Sequence, residues 1–447
     1  MHYVSTRDSA RRLTASEAIV EGLSRDGGLY LPESIPQITL ADIQALAALP
    51  YPQRAAKIMK LYLDEFTEQE LLSYAEKAYG PAKFDTPAAA PIVKTEDSTY
   101  VQELWHGPTC AFKDMALQML PYLLTASLQK TGEEKTVCIL VATSGDTGKA
   151  ALEGFRDVDR TKILVFYPDG GVSDIQKLQM VTQEGQNVGV CAVRGNFDDA
   201  QTGVKRIFSD EALRQTLAAR GYFLSSANSI NWGRVLPQIV YYISAYCDLL
   251  KQGAIAPGDK INVCVPTGNF GNILAGFYAK RMGVPIATLI CASNENNVLT
   301  DFIQTGTYDR NRPFYQTASP SMDILISSNL ERLLYLLSGS DEEVRGYMQA
   351  LAAAGRYTVS QAVADAIRAE FACGFCTDAG GAATIGRMFR ENSYLMDTHT
   401  AVAYTVLQAY RARTGDRTPT VVASTASPFK FCASVLHALG VAEHRPG

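Results

Sequence analysis

The 447-residue chain has only five histidines and two tryptophans, and it shows no apolar run of membrane-spanning length. Nor does it carry an excess of basic charge: 41 Lys and Arg stand against 46 Asp and Glu, a net charge of -5, which leaves no basic face for nucleic acid or anionic lipid. The histidines, at positions 2, 106, 399, 437 and 444, are too dispersed to build a metal site. Cys373 and Cys376 form a lone C-x-x-C with no second pair and no histidine at zinc-finger spacing, which argues against a metal or redox role. The nine cysteines are scattered, mostly inside apolar stretches such as V-C-I-L-V, as small buried hydrophobes of a reducing compartment are. The opening M-H-Y-V-S-T-R-D lacks the charged and apolar regions of a secretory leader. A cytoplasmic protein without metal, membrane or nucleic-acid partner is the expectation.

What is present is an ordinary globular balance, 47% hydrophobic and 19% charged residues, in a chain long enough for two or three domains. Residues 1–82 read as one unit: D-G-G before a short strand-like L-Y-L-P, then helices at 39–49, 51–66 and 67–79. The alanine- and proline-bearing segment 81–91 marks the boundary with a second unit, 83–447. From residue 136 strands alternate with helices. The strands are T-V-C-I-L-V-A, K-I-L-V-F-Y, N-V-G-V-C-A-V, I-N-V-C-V and I-A-T-L-I-C, and a long helix is expected over 233–250. Such alternation implies an α/β fold with parallel sheet, whose ligands bind beyond the carboxyl ends of the strands.

Three stretches could carry chemistry. Residues 103–116, E-L-W-H-G-P-T-C-A-F-K-D-M-A, place Lys113 between an apolar run and a helical pattern over 114–128 that Asp114 could cap. A lysine there is either a snorkelling surface residue or one desolvated enough to form a Schiff base with a carbonyl. The loop A-T-S-G-D-T-G, residues 142–148, offers hydroxyls and amides to an anion; it is no Walker A loop, because Thr143 replaces the required glycine and Ala150 the hydroxyl after Lys149. A plain helix-capping turn explains it equally. The loop P-T-G-N-F-G-N, residues 266–272, lets backbone approach a phosphate at a helix start. It departs from G-x-G-x-x-G, and no acidic residue follows at the dinucleotide distance, so a single phosphate suits it better.

An imine-forming lysine, a monophosphate loop and a carboxylate loop are the parts that hold pyridoxal phosphate and an amino acid. In this order H-G-P-T-C-A-F-K-D, A-T-S-G-D-T-G, S-A-N-S-I-N-W-G-R and P-T-G-N-F-G-N resemble the threonine synthase family, of the tryptophan-synthase-β-like fold (fold type II) of pyridoxal-phosphate enzymes. Y-L-M-D-T-H-T-A-V resembles the family's Y-x-x-D-P-H-T-A-V with Thr398 for proline, and the N-terminal Y-V-S-T-R and D-G-G-L-Y-L-P resemble its long form. The similarity runs nearly end to end.

The resemblance implies roles by motif. Lys113 would carry the cofactor, and Gly268, Asn269, Phe270, Gly271 and Asn272 would hold its phosphate. Thr425, in A-S-T-A-S-P-F-K-F, would meet the pyridine nitrogen, where the family often has His-Pro in place of Ser427-Pro428. Ser144, Gly145 and Thr147 would face the substrate carboxylate, with Asp146 towards the cofactor ring. Asn228, Asn231 and Arg234, with Lys177, would take a distal substrate phosphate, although Arg234 could equally be a first-turn helix residue and Lys177 a solvated one. His106 and His399 read as satisfied buried groups. The implied two-lobed catalytic unit has its smaller lobe at roughly 115–220. The implied reaction turns O-phosphohomoserine and water into threonine and phosphate, in a monomer or homodimer. A phospholyase, a threonine or serine dehydratase and an inactive ligand-binding homologue are the rivals.

Overall fold

Two sheets organise the chain, and the computed structural model describes residues 1–442 other than 144 and 196, with the backbone alone at 198, 205 and 209. The larger sheet has six strands in the order Phe371–Phe375, Ile286–Ser293, Ile261–Pro266, Thr420–Ser424, Thr99–Glu103, Ile92–Glu96. All neighbours run parallel except the last pair. The smaller sheet is wholly parallel, in the order Val188–Val193, Thr161–Pro168, Thr136–Ala142, Tyr222–Ser226. The expected α/β architecture is therefore present. Central strands such as Ile261–Pro266 are buried at every residue, as strands covered on both faces must be.

Helices pack on these sheets where their apolar faces allow. Trp232–Lys251 is buried along almost its whole length, and Pro237 inside it is tolerated in surroundings that leave no face to water. The expected helix over 114–128 is instead two, Asp114–Leu117 and Leu120–Lys130. Pro121 is the reason: its ring crowds the carbonyl four residues back and it lacks an N–H, so it suits only the start of a new helix. Asp114 does not cap the first of these; its carboxylate accepts from the Thr109 N–H at 2.8 Å and the Thr109 hydroxyl at 2.7 Å.

The N-terminal stretch forms a three-stranded antiparallel sheet, Asp8–Leu13, Tyr3–Ser5, Tyr30–Pro32, and helices Ala15–Glu21, Leu40–Ala47, Tyr51–Lys60 and Glu68–Tyr79. Capping boxes start three of these helices, at Thr14/Glu17, Thr39/Asp42 and Thr67/Glu70. Tyr3 and Tyr62 pack on Trp232 with ring centroids 5.7 and 5.6 Å away, so this stretch shares one apolar core with the long helix and both sheets. Among the described residues no helix is long and apolar enough to cross a membrane.

Candidate active site

Five segments converge at the carboxyl ends of parallel strands, where the direction of the chain leaves loops rather than sheet. They follow Thr99–Glu103, Thr136–Ala142, Tyr222–Ser226, Ile261–Pro266 and Thr420–Ser424. The first and last are stitched together: Leu104 N–H donates to the Ser424 carbonyl, Phe112 N–H to the Thr425 carbonyl, and Ser427 N–H to the Cys110 carbonyl. Cys110 is in the left-handed region at φ 56°, and Gly107 must be glycine because a Cβ there would lie 2.6 Å from Asp114. That turn delivers Lys113.

Lys113 is buried, its ammonium 4.9 Å from the Phe112 ring centroid and 3.6 Å from Oδ2 of Asp146. Burial pushes its pKa down to about 8, Asp146 opposing and the Lys430 and Arg234 charges adding to the fall. The side chain is only about 10% exposed, which is not the position of a snorkelling surface lysine with its ammonium in water. Asp146 is buried too, at the start of the helix Asp146–Phe155. Oδ1 takes Lys430 Nζ at 2.6 Å and the Gln176 amide at 3.0 Å, and Oδ2 takes the Ser321 hydroxyl at 3.3 Å. Burial alone would raise its pKa, but the Lys430 and Lys113 charges outweigh it and hold the carboxyl far below the usual range.

The loop before Asp146 is shaped by Thr143, whose hydroxyl accepts from the N–H groups of Gly145 and Gly148, both at 2.9 Å. Gly145 has φ 136° and packs on Gln176 so closely that a Cβ would meet its amide at 2.4 Å. Thr147 follows, half-buried in the first helical turn. Ser144 lies outside the described residues.

The second loop enters the helix Gly271–Met282 through Phe270, a buried residue held at φ 62°. A non-glycine residue in that region is uncommon and costs energy that the surroundings must supply. They do: the Ser327 hydroxyl donates to the Gly268 carbonyl at 2.7 Å and Asn329 N–H to the Asn269 carbonyl at 3.1 Å. The first-turn amides from Gly271 onward have no carbonyl within the helix to bond. Asn272 Oδ1 accepts from the Tyr241 and Tyr242 hydroxyls, while its Nδ2 is buried without a partner among the described residues.

Of the hydroxyls near the C-terminal strand, Ser424 accepts from Trp105 Nε1 and Thr400, and Ser427 accepts from the Phe429 N–H. Thr425 is buried and its hydroxyl bonds no other described side chain.

The remaining sequence candidates separate. Arg234 is buried at the start of the long helix, donating to the Ala227 carbonyl at 3.0 Å; its Nε has no partner among the described residues, and burial lowers its pKa to about 10. Asn228 faces the neighbouring strand end, donating to the Ala142 carbonyl at 3.0 Å. Asn231 is fully engaged, capping the long helix through Gly233 N–H and donating to the carbonyls of Ile19 and Ser226. Lys177 is exposed and paired with Asp169 at 3.2 Å, while its neighbour Gln176 turns inward to Asp146. His399 bridges Asp397 and the Ser321 N–H, and His106 bridges Asp85 and Glu103. Sequence reasoning missed Gln176, Ser321, Ser327, Asn329 and above all Lys430, whose setting between two phenylalanines was the one signal that its charge is buried.

A cleft of about 1240 Å³ adjoins these loops, with Ala142, Ser226, Asn228, Ser229 and Asn269 in its wall. It has room for a cofactor and a small substrate together. Lys113 and Asp146 are both buried and are not in its wall.

Residues 2–79 match the family model described as threonine synthase N terminus, and residues 84–426 the model described as pyridoxal-phosphate dependent enzyme. The chain is 40% identical to human threonine synthase-like 1, over 99% of its own length and 61% of that protein's. It thus spans about three fifths of the length of the first curated relatives it matches. It is 39% identical to threonine synthase of Pseudomonas aeruginosa, covering 97% of this chain and 90% of the relative. Among solved structures it is similar to a pyridoxal-phosphate-bound threonine synthase from Brucella melitensis, with a TM-score of 0.90, 42% identity, and 100% and 93% of the two chains covered. The yeast threonine synthase structure gives the same TM-score at 35% identity, covering 100% of this chain and 91% of that one.

Proposed function

The chain belongs to the threonine synthase family of pyridoxal-phosphate-dependent enzymes, and from that premise we propose that it converts O-phospho-L-homoserine and water to L-threonine and phosphate. The observation that carries the reading is the buried Lys113, 3.6 Å from an ionised Asp146, at strand ends that also offer an amide-lined helix start. The residues suit the cofactor. Lys113 would hold its aldehyde carbon, the backbone of Gly268, Asn269, Phe270, Gly271 and Asn272 its phosphate, the unengaged Thr425 hydroxyl its ring nitrogen, and Asp146 the ring side facing Lys113. When bound, pyridoxal phosphate supplies an electron sink for charge developing at the carbon beside the substrate amine.

The protein's own part is binding and proton movement. Ser144, Gly145 and Thr147 would take the substrate carboxylate at the start of the helix Asp146–Phe155, whose amides and dipole favour an anion. Arg234, with a buried and unpartnered Nε, and Asn228 would take the distal phosphate; Asn231 would hold that segment in place, and Lys177 would add a charge only by leaving Asp169. Lys113 Nζ, displaced by the substrate amine and with a pKa that burial lowers to about 8, would move protons at the α and β carbons. Residues 1–82 would be an N-terminal domain and 83–447 the catalytic one, with a smaller lobe at roughly 115–220, a division supported by family matches that end at 79 and resume at 84. Nine free thiols support a reducing, cytoplasmic setting.

The test is incubation with O-phosphohomoserine and assay of both products, with Arg234→Ala losing far more turnover on that substrate than on serine or threonine. A second reading, in which the same site expels phosphate and finishes as a phospholyase, stands beside it, since the chain matches a protein named only threonine synthase-like 1 as well as it matches a named threonine synthase. Phosphate released with 2-oxobutyrate and without threonine would select it.

A further inference from the structure

We propose that Lys430 is a positioning residue: it fixes the Asp146 carboxylate against the Lys113-bearing turn and supplies its counter-charge, so that Lys113 can give up its own. The inference rests on the reading of Lys113 as the residue that takes pyridoxal phosphate. Lys430 lies in the short turn Pro428–Phe431 and is 4% exposed. Its Nζ makes two contacts, 2.6 Å to Asp146 Oδ1 and 2.9 Å to the Thr109 carbonyl. One side chain from the C-terminal segment therefore ties the loop of the smaller sheet to the turn that delivers Lys113.

A buried ammonium is costly unless paired, so this one would be replaced by an apolar side chain at little loss if only packing mattered. The geometry gives it a use. With Lys430, Gln176 and Ser321 as donors, Asp146 is satisfied without Lys113, which stands off at 3.6 Å. Condensation of Lys113 with an aldehyde forms a bond from Nζ to the carbonyl carbon and releases the carbonyl oxygen as water, and it needs the free amine. If Lys113 were the sole counter-ion of a buried carboxylate, that pairing would stabilise its ammonium and oppose the reaction. With Lys430 present, the carboxylate keeps a cation whatever becomes of Lys113. The charged groups around Lys113 are Asp146, Lys430 and Arg234, with the adjacent Asp114 turned to Thr109. Those around Lys430 are Asp146, Asp114 and Lys113, with the Cys110 thiol as a further titratable neighbour.

The test uses protein stripped of cofactor, with pyridoxal phosphate as the probe. The rate of gain of visible absorption is followed between about pH 6 and 10, and the adduct is fixed with borohydride and located by peptide mass. Wild type should react on Lys113 with a midpoint near 8. Lys430→Met should raise the midpoint by about one unit and slow uptake at neutral pH roughly tenfold, Lys430→Arg should restore wild-type behaviour, and Asp146→Asn should lower the midpoint. Lys430→Gln, which keeps a donor for the Thr109 carbonyl, takes the place of methionine if that variant does not fold. An unchanged or lowered midpoint on neutralising Lys430, or an arginine variant that behaves like the neutral one, would overturn the proposal while leaving the cofactor reading standing. Absence of any adduct on wild-type Lys113 would overturn both.

Discussion

Lys113 sits in the fold at a cost that its burial makes explicit. Its pKa falls from 10.5 to about 8, so between those values the unfolded chain binds more protons than the native one, and this group's contribution to stability rises with pH across that window. Below about pH 8 the destabilisation is present in full. Cofactor-free Lys113→Met should therefore be more stable than cofactor-free wild type at pH 7, by on the order of 1–3 kcal/mol after allowing for the lost Asp146 contact, with the gap closing as pH rises past about 8. Urea unfolding at several pH values checks it; a variant less stable at every pH would show that Lys113 contributes to the fold. Thr425 supplies a second residue-level expectation. With Ser424 and Ser427 already engaged, Thr425→Val should leave cofactor uptake intact and lower turnover roughly ten- to a hundredfold, as loss of one hydrogen bond to a charged ring would. Unchanged kinetics would remove Thr425 from the site. Lys113 was singled out in the sequence because an apolar run and a helix flank it, whereas the pairing of Lys430 with Asp146 spans 284 positions and leaves no local trace.

The segment from Ser327 to Arg332 acts as a clamp on the site. Ser327 and Asn329 hold the phosphate-type loop by its carbonyls, and Glu331 takes Thr6 and Arg7 of the N-terminal stretch. Arg332, fully buried, donates to the carbonyls of Tyr30, Ser229 and Ile230. Arg332→Met should cost about 3–5 kcal/mol, because it strands several buried carbonyls at once, and it should weaken cofactor retention through the displaced 229–230 backbone. Equilibrium unfolding alongside cofactor titration would register both; a variant of wild-type stability would show the bonds to be dispensable. Periodicity made residues 328–371 legible only as helical, and the stretch indeed holds the helices Leu330–Ser338, Asp341–Ala354 and Gln361–Glu370. Its role was not legible, since it depends on carbonyls from three distant segments. Likewise the pattern over 114–128 showed an apolar face, but the proline that splits it was read as part of one helix.

Across the whole molecule, the alternation of strands and helices from residue 136 announced the parallel sheets because each buried strand is a short apolar run bounded by loop residues. The strands Ile92–Glu96, Thr99–Glu103, Tyr222–Ser226 and Thr420–Ser424 are shorter and mix in polar residues, so their membership of the sheets follows only from pairing. That pairing brings Lys113, Asp146, Arg234, the 268–272 loop and Thr425 to one end of the fold. The most direct test is turnover of O-phosphohomoserine in ¹⁸O-labelled water. The account predicts threonine and phosphate in equal amounts, with the label in the threonine hydroxyl and none in the phosphate, because water adds at carbon after the phosphate has left. Label in the phosphate, or phosphate accompanied by 2-oxobutyrate with no threonine, would contradict it.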